Sequence, residues 1–218
     1  LSRGLGDVYK RQGLTWAVAV PLIQAAVLGI VFAAVVKAPP NGGDSPYGLY
    51  VMSGVLAWSY FASVLGAGAT AIVDGSGLTD KVWFPRGILA LVPAMSNLVA
   101  LMVSVVVLLV AAVLLGAGLG LGTLLLVPAV AVLIAFATAI SLSLSALHVY
   151  FRDVRYLVQA GLMMWFYVTP IVYPLTILPH WLAVLVELNP VTGIIGLFRL
   201  ALLGRAGPLL VPLVVTFV

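Results

Sequence analysis

The chain has 218 residues, 64% of them hydrophobic and 7% charged, with ten Lys/Arg, six Asp/Glu and no Cys. Soluble domains are roughly 45–50% apolar and about 25% charged, so this chain lacks the polar surface of a soluble fold, while its apolar content excludes a disordered one. Without Cys there is no disulfide framework, zinc–thiolate centre, iron–sulfur centre or Cys nucleophile. A mean hydropathy of +1.26 leaves an integral membrane protein. The net charge of +4 comes from scattered cations, without the clustered face that a phosphate backbone requires. It reads as the loop bias of membrane proteins.

Leu1–Gln12 carries three of the ten cations and no apolar period. Asp7-Val8-Tyr9-Lys10-Arg11-Gln12 is encodable by GAT GTG TAT AAG AGA CAG, which resembles the end of a transposon-type sequencing adapter. Residues 1–12 are therefore expected to be a sequencing artefact or an unstructured leader. Residues 13–218 are expected to form a single transmembrane domain, a fragment at both ends.

Crossing about 30 Å of hydrocarbon takes about 20 helical residues. Leu14–Val36 is a first predicted span and Tyr47–Val73 a second, joined by the Pro/Gly-rich Lys37–Pro46. After the polar loop Asp74–Arg86, Gly87–Leu115 is a third. The glycine-rich turn Gly116–Gly122 leads to a fourth, Thr123–Leu147. The charged loop His148–Arg155 precedes a fifth, Tyr156–Thr169, which meets Pro170 and Pro174; a sixth begins at Pro208. Between them lie Trp181–Leu188 and Val191–Leu203, split by Asn189-Pro190. Each is too short to span, and proline disfavours helix at the residue before it. Broken helices at membrane depth are tolerated only inside protein or against a wet cavity. This stretch is read as a re-entrant or interfacial helical hairpin marking a gate, with a loop lying on the bilayer as the alternative. The candidate outer gate is Thr169, Pro170, Tyr173, Pro174, Asn189, Pro190 and Arg199. Lys81, Arg86, Arg152 and Arg155 on one side oppose Lys37, Arg199 and Arg205 on the other, a weak bias that places the first set in the cytoplasm.

No G-x-x-x-x-G-K-[ST] is present, so no P-loop binds ATP here. Two His in different loops make a metal site or a Ser–His relay unfavourable. No acidic residue falls inside a predicted span, which argues against ion-coupled carriage and intramembrane hydrolysis. Energy for uphill movement has to come from a partner.

Several motifs occur in order: Trp16 with Pro21-Leu22; Leu56-Ala-Trp-Ser-Tyr-Phe61; Leu78-Thr-Asp-Lys-Val-Trp-Phe-Pro-Arg86; His148-Val-Tyr-Phe-Arg-Asp-Val-Arg-Tyr156; Thr169-Pro-Ile-Val-Tyr-Pro174; Leu188-Asn-Pro-Val-Thr-Gly193; and Gly196-Leu-Phe-Arg199. Together they resemble the membrane (permease) subunit of ABC-2 type polysaccharide exporters, which handle O-antigen, teichoic acid and related lipid-linked glycans. The resemblance implies an all-α integral membrane fold of six helices, the sixth truncated here. It also implies an amphipathic interface helix ahead of span one, a homodimer around a central pathway and a multi-pass place in the bacterial cytoplasmic (inner) membrane. It places ATP and Mg on a separate ABC nucleotide-binding subunit, leaving this chain no cofactor, no metal and no catalytic residue. Lys81, Trp83, Phe84, Pro85 and Arg86 look like the family's coupling segment to that ATPase. An aromatic belt with Lys/Arg anchors is the plainer account of the same residues.

Arg152, Asp153 and Arg155 suit pairing within the cytoplasmic loop or capping of span five. Trp58, Tyr60, Phe61, Trp165 and Tyr167, with Phe166 and Tyr173, are candidates for a sugar-stacking translocation path, since aromatic rings offer an apolar face and, in Tyr and Trp, a polar handle. Helix packing or an interface belt accounts for at least half of them. Asn97, Gln24, Gln159, Ser141, Ser143 and Ser145 read as interhelical hydrogen bonds, and Gly66-Ala-Gly68 as a site of close helix approach. The expected function is export of lipid-linked polysaccharide driven by a partner ATPase. The alternatives are an ABC-2 permease for drugs or lipids and a membrane scaffold subunit without transport.

Overall fold

A computed structural model describes residues 47–79, 85, 87–118 and 120–204, together with the helical positions 16, 19, 23 and 27. The described residues are mostly helical, with no strand among them. In chain order they form α1 (Tyr47–Gly68), α2 (Ala71–Asp74), α3 (Ser76–Thr79), α4 (Gly87–Leu114), α5 (Leu126–Tyr150), α6 (Val154–Val168), α7 (His180–Glu187) and α8 (Pro190–Leu203). A 3-10 turn, Leu121–Leu125, runs into α5, and another, Leu175–Ile177, lies before α7. Residues 1–12 and 208–218 lie outside the described residues, as does most of the first predicted span.

Tyr47–Gly68, Gly87–Leu114 and Leu121–Tyr150 are long and apolar enough to cross a membrane. The predicted second span ends earlier than expected, at Gly68, with a break before α2. α6 has 15 residues, a rise of about 22 Å that falls short of the hydrocarbon thickness. α7 and α8 meet at a bend of 86°. Gly116, at φ +77°, closes α4: its N–H reaches Val113 O and the Ala117 N–H reaches Ala112 O, at 3.1 and 2.9 Å. This is a Schellman end, which needs a residue in the left-handed region.

α1 is the central element, packed against α4, α5, α6 and α8. On α4 and α5 small residues recur along the buried face, beside a few leucines, while many of the large residues are exposed. α5 buries Ala129, Leu133, Ala137, Ser141, Ser145 and His148 at helical spacing. α4 buries Ala90, Pro93, Ala94, Leu101, Ser104, Leu108 and Ala112 but exposes Val92, Met95, Val99, Met102, Val106 and Val110. In water this pattern would leave an apolar stripe along the whole helix. In lipid there is no hydrophobic drive between helices, and small residues that let backbones approach form the interfaces. Gly68 is the clearest case. A Cβ there would lie 1.8 Å from Ser141 Oγ and 2.9 Å from Ser141 Cβ, so α1 and α5 touch through a missing side chain. Gly66 has no neighbour within 4 Å of such a Cβ, so the close approach belongs to Gly68 alone of the two.

The polar residues inside the helices correct the interhelical reading. Asn97 Nδ2 donates to Pro93 O at 2.8 Å, Ser143 Oγ to Ala139 O at 3.1 Å and Ser145 Oγ to Leu142 O at 2.9 Å. Each bonds back three or four residues within its own helix, which satisfies the side chain locally. Ser141 alone of these crosses, to Ala90 O at 3.4 Å. Gln159 is exposed, and Gln24 lies outside the described residues.

Candidate functional site

Past the end of α6, at Thr169–Pro174, the chain loses its helical hydrogen bonds because Pro170 and Pro174 carry no N–H. Residues 169–172 are buried, so every freed carbonyl there needs another donor. Side chains from three elements supply them. Tyr173 Oη donates back to the carbonyls of Tyr167 and Val168, at 2.9 and 3.1 Å. Thr169 O accepts from Ile171 N at 2.7 Å. Arg199 Nη2 on α8 donates to both Pro170 O and Ile171 O, each at 2.8 Å. Tyr47 Oη and Tyr50 Oη, on the first turn of α1, donate to Val172 O and Tyr173 O. The carbonyls of the last two residues of α6 and of the five that follow are thus held without helical bonds.

Arg199 is 8% exposed. Its guanidinium carbon lies 3.5 Å from the centre of the Tyr50 ring, a cation–π contact that is strongest when desolvated. No carboxylate pairs with it among the described residues, so carbonyl dipoles and a ring face stand in for a counter-ion. Gly54 on α1 makes room for it: a Cβ there would lie 3.3 Å from Arg199 Nη2 and 3.3 Å from Ile171 O. Arg199 is therefore not a loop cation of the outer side: it lies on α8 with its side chain buried against α1 and the 169–174 segment. Removing it from the loop tally leaves Lys37 and Arg205 against four, which sharpens the charge bias.

Asn189 is a second junction. It caps α8, its Oδ1 accepting from Val191 N at 3.1 Å, and Pro190 follows at the first helical position, where a missing N–H costs nothing. The same Oδ1 accepts from Trp165 Nε1 at 3.0 Å, and Nδ2 donates to Thr169 Oγ1 at 2.9 Å. Thr192 Oγ1 reaches back to Val186 O at 2.9 Å and ties α8 to α7. Of the gate candidates, Thr169, Pro170, Tyr173, Asn189 and Arg199 therefore share one hydrogen-bonded cluster, and Pro174 ends the broken segment. Tyr47, Tyr50 and Gly54 belong to the same cluster and escaped the sequence reading. The one signal for them was a pair of tyrosines one helical turn apart at the start of a span.

The aromatic candidates are placed differently. Trp58, Phe61 and Trp165 pack on one another, with ring centres 5.4 Å apart for Trp58–Phe61, 6.4 Å for Trp58–Trp165 and 5.3 Å for Phe61–Trp165. Phe136 of α5 stacks on Phe61 at 5.9 Å. Phe61 is 0% exposed and Trp58 is buried, so neither ring presents an open face. Tyr60 is buried too, and its hydroxyl donates to Ala94 O on α4 at 3.2 Å. Tyr167, at 71%, is exposed.

Of the coupling candidates, Pro85 is exposed and its carbonyl accepts from Ile88 N at 3.0 Å, opening α4. Lys81, Trp83, Phe84 and Arg86 lie outside the described residues. Asp153 occupies the N-cap position of α6, but its side chain makes no capping bond, and neither Arg152 nor Arg155 pairs with it among the described residues. Those residues also contain no grouping of His and acids that fits a metal ion.

The model of the family described as ABC-2 type transporter matches residues 3–203. The chain belongs to the ABC-2 type transporter family. Family members are membrane subunits of transporters rather than enzymes, and they normally pair with an ATP-binding subunit. Among curated proteins, the chain is 29% identical over 189 residues to the O-antigen export system permease protein RfbA of Myxococcus xanthus. That match covers 86% of this chain and 71% of the relative. Two proteins of the same description from Klebsiella pneumoniae are 26% and 27% identical over the same shares. The chain is an integral membrane permease of this family.

Proposed function

We propose that this chain is the transmembrane subunit of an ATP-driven exporter that moves lipid-linked polysaccharide, of the O-antigen or teichoic acid kind, across the cytoplasmic membrane. The observation that carries this reading is the likeness to three O-antigen export permeases across 86% of the chain. Two copies would surround the pathway, with ATP and Mg bound on partner subunits. The 81–86 segment would receive the partner's motion, with Trp83 and Phe84 seated in a groove and Lys81 and Arg86 at its rim. The bent pair α7–α8 and the broken segment 169–174 would form the outer gate as a re-entrant unit. A non-helical segment held by side chains can be released without unfolding a helix, and this suits a gate. Tyr167, with an open ring face, is the aromatic best placed for weak, repeated sugar contacts.

The test is to express the permease with its ATPase in a host whose own O-antigen permease is deleted, and to measure glycan at the cell surface. Restored surface glycan supports the reading. ATPase stimulation with movement of drugs or phospholipids, and glycan retained inside, would favour the other ABC-2 permease class. Failure to bind any ATPase would favour the scaffold.

A further inference from the structure

An apolar groove of about 240 Å³ runs between α1, α5 and α6, walled by Leu65, Leu144, Leu147, Val154, Val158 and Gly161 among others. Interiors of proteins hold few voids larger than a water molecule, and an apolar cavity of about 150 Å³ already takes up a hydrocarbon the size of benzene. The one polar side-chain atom on the walls is Trp165 Nε1, and Asn189 already occupies it at 3.0 Å. The walls therefore offer an occupant apolar contact only.

Its dimensions narrow the choice. From Val154 to Trp165 the α6 wall rises about 17 Å, close to the ~15 Å hydrocarbon depth of one leaflet. A volume of about 240 Å³ has room for an alkyl chain but not for a helix, which is about 10–12 Å across. The two ends also differ in charge. Val154, the wall residue at one end, is flanked by Arg152 and Arg155, both exposed. Asp153 sits between them and leaves the triplet with a net charge of +1. At the Trp165 end the wall residues carry no charge.

We propose that this groove is a binding site for an anionic phospholipid of the leaflet on the Arg152–Arg155 side. One acyl chain lies along Val154–Trp165, and the phosphate is held by Arg152 and Arg155. The site touches the gate cluster only through Trp165, whose Nε1 is bonded to Asn189, and does not depend on what the permease transports. Gly161 makes it testable, because it lines the groove and a Cβ there meets nothing within 4 Å, so alanine is accommodated and a larger side chain takes up groove space.

The experiment uses the permease–ATPase complex in nanodiscs doped with phosphatidylglycerol or phosphatidylcholine bearing a diazirine in one acyl chain, with crosslinks mapped by mass spectrometry. Labelling with the phosphatidylglycerol probe is expected at Leu144, Leu157 and neighbouring wall residues. It should fall at least tenfold in Gly161→Leu and persist in Gly161→Ala. The combined Arg152→Gln and Arg155→Gln variant should erase the preference over phosphatidylcholine. If Gly161→Leu does not assemble, the arginine variant alone decides. Equal labelling by both lipids in the unaltered protein would overturn the proposal. So would labelling unchanged by Gly161→Leu, or a Leu157→Cys disulfide between two copies with no lipid label on the walls.

Discussion

The guanidinium of Arg199 lies over the Tyr50 ring at 3.5 Å while one of its nitrogens holds the Pro170 and Ile171 carbonyls. Tyr50 closes the circuit by donating to Tyr173 O at 3.1 Å. α1 and α8 thus grip the same broken segment from two sides, although about 150 residues of sequence separate them. A buried cation held by carbonyls and a ring, with no carboxylate on it among the described residues, is expensive, and here its energetic return is the fixed shape of residues 169–174.

Arg199→Ala leaves two buried carbonyls without a donor, a loss of about 2–4 kcal/mol. The complex should denature at lower temperature in detergent and transport little. Arg199→Lys should fall between the two, because an ammonium can bond a carbonyl but lacks the planar fork that stacks on a ring. A lysine variant indistinguishable from alanine would assign the effect to guanidinium geometry alone.

Asn189 uses both ends of its amide, so the charge-changing isostere is informative. Asn189→Asp keeps the cap to Val191 and the Trp165 contact but loses the donor to Thr169 Oγ1. Asn189→Ala loses all three. The expected cost is about 1 kcal/mol for Asp and about 2–3 kcal/mol for Ala, read as loss of thermal stability of the purified complex. Equal stability of Ala and the parent would remove Asn189 from the cluster.

The contact of Gly68 with Ser141 is a steric claim and can be tested by a paired exchange. Gly68→Ala forces α1 and α5 apart and should cost about 1–3 kcal/mol. Adding Ser141→Gly removes the opposing Cβ and should recover most of that loss, a coupling that a double-mutant cycle reads directly. Additive effects would mean that the two helices do not touch there.

Much of this arrangement was legible in local chemistry. Pro170, Pro174 and Asn189-Pro190 announce breaks because each acts on its own backbone, and the structure puts the break after α6 and the 86° bend at those places. The charge and apolar counts announce the membrane because lipid-facing helices cannot hide their composition. Long-range partners were not legible. Nothing near Tyr50 in sequence says that its ring lies under a guanidinium, and Gly54 looks like any small residue of a membrane helix. Trp58 and Phe61 read as candidates for sugar stacking because an aromatic in the middle of a span looks the same whether it faces a pathway or another ring. Their partners, Trp165 and Phe136, come from helices far along the chain.

The coupling assignment predicts a split between hydrolysis and transport. In the assembled complex, Phe84→Ala and Arg86→Ala should lower transport several-fold and weaken the response of ATPase activity to the permease, while the isolated ATPase is unchanged. Undisturbed stimulation in both variants would return the segment to the role of membrane-surface anchor.

The central claim is that α7–α8 and the segment before them form the outer gate. The chain has no Cys, so single cysteines at the exposed Ile177 and Trp181 report without background. The decisive measurement is their labelling rate by a membrane-impermeant thiol reagent added outside, with the ATPase idle and then trapped with ATP. The account predicts labelling from outside at a rate that changes severalfold with the nucleotide state. Labelling only from the cytoplasmic side, or an outside rate indifferent to ATP, would contradict it.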